Sequence, residues 1–106
     1  MGSRSRLAIL LLLSLATGYQ VHPVAASDIS RGKLLAERAC GGCHDTNGVA
    51  DNRAQGIPTF RNIAGQPINT PERLSAFLMI PHRPMPALPL DASEISDIVA
   101  YIVSLK

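Results

Sequence analysis

The sequence predicts a small all-α domain, and three observations carry that prediction. Three stretches repeat apolar residues at helical spacing, each opened by a side chain suited to capping a helix. No run alternates with the two-residue period of a strand, and there is no internal repeat or low-complexity tract. The segments between the helical stretches are punctuated by Gly and Pro, which favour turns over regular structure.

At 106 residues the chain has room for one domain. Residues 1–26 read as a leader rather than as part of it. Arg4 and Arg6 form a basic n-region, Leu7 to Ala16 an apolar run, and Val24-Ala25-Ala26 a small-residue cleavage site. An apolar run of about ten residues falls well short of the roughly 20 that span a bilayer. Cleavage after Ala26 would release an exported domain of residues 27–106, with the periplasm as its expected location and no membrane span left. The loss of Arg4 and Arg6 leaves eight basic residues against eight acidic ones, so the mature domain is formally neutral. That balance argues against nucleic acid as a partner and against long-range steering by net charge.

The first helix is expected from about Asp28 to Ala39, with Ser27 as N-cap and Ile29, Leu34, Leu35 and Ala39 on its apolar face. It runs directly into Cys40-Gly41-Gly42-Cys43-His44. Two thiols three positions apart can each add to one vinyl group of a haem, and the adjacent His can reach the iron from the same side. A thioredoxin-like redox pair would normally sit in a βαβ setting that is absent, and a structural zinc site would lack a fourth ligand at the usual spacing. A disulfide between Cys40 and Cys43 would close too short a loop to stabilise an exported fold appreciably. A covalently bound haem would also give bulk to a domain with only Phe60, Phe77 and Tyr101 as aromatics.

Gly48, Gly56, Pro58, Gly65 and Pro67 mark a loop region, with one short helical turn expected near Arg61 to Ala64. The second main helix opens at Thr70-Pro71-Glu72. Thr can cap, Pro suits the first turn and Glu the dipole, and Leu74, Phe77 and Leu78 continue the pattern until Pro81 ends it. Asp91 and Glu94 form an Asp-x-x-Glu variant of a capping box. From there Ile95, Ile98, Val99, Ile102 and Leu105 repeat at helical spacing to the C-terminus.

Met79, His82 and Met85 are the candidates for the iron's sixth ligand. Met85 lies in Pro84-Met85-Pro86, where flanking prolines lower the entropic cost of holding a thioether in place. Met79 reads as a core gap-filler within the second helix, and His82, beside Arg83, as a surface residue near the haem edge.

These motifs together resemble the small class I c-type cytochromes of bacteria. The resemblance covers the mature chain, from Cys40-x-x-Cys43-His44 through Pro81-His82-Arg83-Pro84-Met85-Pro86 to Asp97-Ile98-Val99-Ala100-Tyr101-Ile102. It implies the small cytochrome c fold, with N- and C-terminal helices crossing and loops wrapped around one covalently bound haem c. It further implies thioethers from Cys40 and Cys43, with His44 and Met85 as axial ligands. In similar proteins a Pro carbonyl accepts the proton of the ligand His, a role that falls here to Pro58, with Phe60 and Ile63 walling the haem. The helix crossing of such proteins, where a Gly meets an aromatic, matches Gly32 and Tyr101, with Ile98 beside them. The chain lacks the Trp and the Lys ring of the mitochondrial members, which leaves Arg61, Asn62 and Arg53 as candidates for the haem propionates.

The implied function is periplasmic transfer of one electron by a monohaem carrier rather than an enzyme. It would work as a monomer or as a subunit of a redox complex, with a periplasmic dehydrogenase, oxidase or cytochrome complex as partner. Two alternatives keep the cofactor. One is a dedicated electron acceptor for a single periplasmic dehydrogenase. The other is a haem sensor or peroxidase with a labile sixth ligand, which would need His82-Arg83 turned inward. Gly41 and Gly42 are too small to cover the haem, so docking is expected on a mostly uncharged rim with Arg83 and His82 as polar contacts.

Overall fold

A computed structural model describes residues 26–48, 56–80 and 82–106, so most of the leader, Arg53 and Pro81 lie outside the described residues. The order is α1 (Ile29–Ala39), α2 (Phe60–Gly65), α3 (Pro71–Met79) and α4 (Ala92–Val103), with no strand among the described residues. The turn expected near Arg61 to Ala64 is thus a six-residue helix of its own.

Capping sets the helix starts. Asp91 accepts from the Glu94 N–H at 2.8 Å while Glu94 accepts from the Asp91 N–H at 3.0 Å, so the box closes reciprocally. Thr70 caps α3 by accepting from the Arg73 N–H, with Pro71 in the first turn. At α1 the cap is Asp28, which accepts from the Arg31 N–H at 3.0 Å, rather than Ser27. The Ser27 hydroxyl is 2.6 Å from that of Ser96 on α4, so its polar group serves the tertiary contact instead.

α4 is the centre of the molecule. It packs against α1 most extensively and also against α2 and α3, whereas those three helices do not contact one another among the described residues. Its buried positions are Ile95, Asp97, Ile98, Val99, Tyr101 and Ile102, of which Ile98 is fully enclosed. Burying each large aliphatic side chain contributes about 1.5–3 kcal/mol. The helix stops at Val103, one turn short of the expected C-terminal extension, and Leu105 packs against the core from outside it.

The α1 face that meets α4 differs from the one that apolar periodicity selects. Ile29 and Leu34 are exposed, while Gly32, Ala36 and Cys40 are buried, with Leu35 and Ala39 packed beside them. Small residues win because the backbones approach too closely for large ones. A methyl placed on Gly32 would fall on the carbonyl oxygen of Asp97 and beside the backbone nitrogen of Ile98. Gly32 therefore meets α4 backbone at Asp97 and Ile98, one turn before Tyr101.

A polar clasp closes the same interface. The buried Asp97 carboxylate accepts from the Asp28 N–H at 2.7 Å through Oδ1. Arg31 Nη1 lies 2.9 Å from Oδ2 but donates to Ser93 Oγ, so its contact with Asp97 is an ion pair without hydrogen-bond geometry. Half of the Arg31 side chain is in solvent, which limits that pair to about 1 kcal/mol at most.

Gly32→Ala should cost about 3 kcal/mol or more, because the clash is with backbone that cannot rotate away. Gly65→Ala, whose added methyl meets open space, should change stability by less than about 1 kcal/mol. Urea midpoints of the two holoproteins test this, and equal midpoints would refute the close-approach account.

Tyr101 links α4 to the segment after the Cys-x-x-Cys-His motif, its hydroxyl donating to the Thr46 carbonyl at 2.7 Å. Burial, then the charges of Glu37 and Asp45, push its phenol above the ordinary 10.0. The neutral form is the one favoured in the fold, so its contribution is complete below about pH 10 and is lost as pH rises through the raised value. Tyr101→Phe should cost about 1–2 kcal/mol at neutral pH and flatten the alkaline decline. Unfolding midpoints across pH 7 to 11 check both effects.

Candidate haem-binding site

The motif forms as a continuation of α1. The Cys40 and Gly41 N–H groups both donate to Ala36 O, and those of Cys43 and His44 donate to Cys40 O at 3.1 and 2.9 Å. This extra turn brings both thiols and the imidazole to one end of α1. Cys40 is buried in the core cluster, and burial pushes its thiol pKa up, while Cys43 is exposed. No disulfide joins them.

His44 is oriented from the other side of the loop. Its Nδ1–H donates to the Pro58 carbonyl at 2.7 Å, which selects, for the neutral ring, the tautomer with its lone pair on Nε2. The Phe60 N–H donates to Asp45 O at 2.9 Å, pinning the segment before α2 against the residue that follows His44. The Asp45 side chain accepts from the N–H groups of Asn47 and Gly48, folding the loop back on itself. Thr59 caps α2 by accepting from the Asn62 N–H, so the Pro58 carbonyl is carried on a fixed helix start.

The Phe60 ring is tilted against His44 with centroids 5.6 Å apart, and against Tyr101 at 6.4 Å, in the range of favourable aromatic pairs. Ile63 packs half-buried against the core. Asn69, which sequence reasoning did not single out, donates from Nδ2 to Ile63 O at 2.9 Å and braces the end of α2. An Asn in a Gly/Pro-rich stretch reads only as a turn residue, so no sequence signal distinguishes it. Of the residues considered for the propionates, Arg61 lies against Gly48 in the loop after the motif, and the Asn62 side chain is exposed.

The expected sixth ligand lies beyond α3. Met85 is half-buried and lines a groove with Phe77, Met79, Ile80, His82 and Leu88. Met79 is not the core gap-filler its helix pattern implies, being 57% exposed, and Phe77 and Ile80 are 51% and 66% exposed. His82 departs from its expected surface position: it is half-buried, its ring centroid 3.6 Å from that of Phe77. No described contact joins Met85 to the motif. They sit on separate parts of the frame, both organised by α4.

The donor set fits a haem. The expected donors are two thiols, an imidazole bound through Nδ1 to a backbone carbonyl, and a thioether. Phe77, Met79 and Ile80 add a run of apolar side chains more than half open to solvent, which suits a flat apolar body better than water.

Comparison with known proteins agrees with this chemistry. The family model described as cytochrome c matches residues 29–106. Cytochrome c-552 of Bradyrhizobium diazoefficiens is 39% identical over 97 residues, an alignment that covers 91% of this chain and 92% of that protein. No solved structure gives a significant match.

Proposed function

The chain belongs to the cytochrome c family, whose members transfer electrons on a covalently attached haem c, and from that premise we propose an exported one-electron carrier with His44 and Met85 as axial ligands. Cys40 and Cys43 supply the thioethers, Phe60 and Ile63 wall the cofactor, and cleavage after Ala26 yields the working periplasmic protein. The observation that carries this reading is the His44 Nδ1–H bond to Pro58 O, because it presents Nε2 as a fixed, electron-rich donor.

The haem supplies the one-electron couple of its iron. The protein's contribution is to hold that couple without rearrangement. α1 and its added turn fix the two thiols, the Pro58 carbonyl fixes the imidazole, and the Pro84-Met85-Pro86 backbone restricts the thioether. A soft thioether ligand favours the reduced state and hence a relatively high potential. Gly41 and Gly42 are exposed and carry no side chain, so they leave the attachment edge near the surface for electron exchange.

Among the described residues no helix is long and apolar enough to cross a membrane. The partner is a redox protein, and a formally neutral mature domain meets it through short-range contacts. With the His82 ring against Phe77, Arg83 remains as the exposed polar contact at that rim.

Ferric holoprotein should show the red-edge absorption band of Met ligation, lost in Met85→Ala and retained in Met79→Ala. Persistence of the band without Met85 would overturn the ligand assignment. The electron-transfer rate to a redox partner should change little between low and physiological ionic strength, since there is little net charge to screen. A steep fall with added salt would mean that a local charge patch governs docking.

A further inference from the structure

We propose that His82 is a second ligand for the sixth iron position, replacing Met85 in the ferric protein when the thioether lets go. The proposal rests on the reading of Met85 as the resident sixth ligand and gives that site a second coordination state.

Three observations carry it. The first is placement: His82 lines the same groove as Met85, three residues away across a turn, together with Phe77 and Met79. A side chain there does not need to cross the molecule to reach the position that the Met85 sulfur leaves.

The second is the preparation of the imidazole. His82 Nδ1 lies 3.2 Å from the Ile80 carbonyl oxygen. A carbonyl only accepts, so Nδ1 carries a hydrogen, and in the neutral imidazole Nε2 then holds the lone pair. This is the arrangement that Pro58 imposes on His44, there with a shorter bond of 2.7 Å. Both described imidazoles are therefore tied by Nδ1 to a backbone carbonyl and offer Nε2 for coordination. The longer bond at His82 suits a ligand that must be able to move.

The third is how each segment is held. The motif side is tied down by helical backbone bonds and by Tyr101 and Asp45. In residues 82–90, the only backbone–backbone bond among the described residues is from the Leu90 N–H to Leu88 O. A segment with so few backbone bonds lies at the low end of local stability and can rearrange without unfolding the helices.

Donor chemistry gives the exchange its direction. Imidazole nitrogen is a harder donor than thioether sulfur, so it gains on the thioether when the iron is ferric, and the thioether regains the site on reduction. The exchange breaks one sulfur–iron bond and forms one nitrogen–iron bond. It consumes no electron, and for the neutral imidazole, whose Nε2 carries no hydrogen, it releases no proton.

Optical and electron paramagnetic resonance spectra of ferric holoproteins, at several protein concentrations, test the proposal. Met85→Ala should remain low-spin, with the signature of two imidazoles independent of concentration and a midpoint potential below that of the wild type. Met85→Ala/His82→Ala should turn high-spin and bind added cyanide faster, by at least tenfold, whereas Met85→Ala/Met79→Ala should keep the two-imidazole spectrum. A second readout avoids any folding defect of the double variant. Warming the ferric wild type below its unfolding transition should exchange the Met band for the two-imidazole spectrum, and His82→Ala should exchange it for a high-spin one. A high-spin Met85→Ala protein, a low-spin state that survives loss of His82, or one that depends on Met79 would overturn the proposal. Absence of the Met band from the wild type at ambient temperature would overturn the Met85 reading itself, a distinct failure.

Discussion

The approach of α1 to α4 at Gly32 governs where every other element can sit. Only a residue without a Cβ lets the α1 backbone rest on Asp97 and Ile98, and that contact brings the small face of Ala36 and Cys40 against a helix that also carries Tyr101. Cys40 is the C-cap of α1, so the position of the first thiol follows from the crossing directly. Asp97 then secures the start of α1 through the Asp28 N–H, while Tyr101 reaches the Thr46 carbonyl just past His44. One helix thus holds the motif from upstream and downstream. For a domain this short, in which unaided core burial is marginal, concentrating the packing on a single helix is an economical solution.

The second constraint is the closure of the loop after the motif. The bond from the Phe60 N–H to Asp45 O joins two segments separated by residues 46–59, and its consequence is chemical. It sets the Pro58 carbonyl within reach of His44 Nδ1. Phe60 itself bridges the imidazole and Tyr101, so orientation of the ligand ring and packing of α4 are coupled through one aromatic side chain. Changes at Phe60 therefore reach both ligand geometry and stability.

Much of this was legible in the residues. Caps at Thr70 and Asp91 lie beside their helices, and local chemistry decides them. The motif likewise carries its own meaning, because attachment depends on spacing along a few residues. Legibility failed where two local options were nearly equal and a distant partner chose between them. Ser27 and Asp28 could each cap α1, and Asp97 and Ser96 on α4 decide which does. Apolar periodicity selected Ile29 and Leu34 for burial, but it cannot weigh Gly32 and Ala36, whose value lies in being small at a close crossing. His82 looked like a surface residue from its polarity and its neighbour Arg83. Its contact with Phe77 is a tertiary fact that no spacing rule contains.

The two sides of the proposed iron site are built to different standards, and the difference has a physical origin. On the His44 side the proposed ligand belongs to a segment whose backbone groups are taken up by helical turns, an Asx turn and the Pro58 bond, so moving the imidazole means breaking those bonds. On the Met85 side the ligand sits in an irregular stretch between α3 and α4 whose order comes from proline stiffness and groove contacts rather than from a backbone ladder. Proline restricts φ but adds no bond to the rest of the fold. Rigidity of that kind keeps the segment in shape while leaving it free to shift as a unit. The fold therefore fixes one proposed axial ligand through its core and leaves the other to a strap, so the proposed change in coordination would be confined to residues 82–90 while the attachment side stays in register.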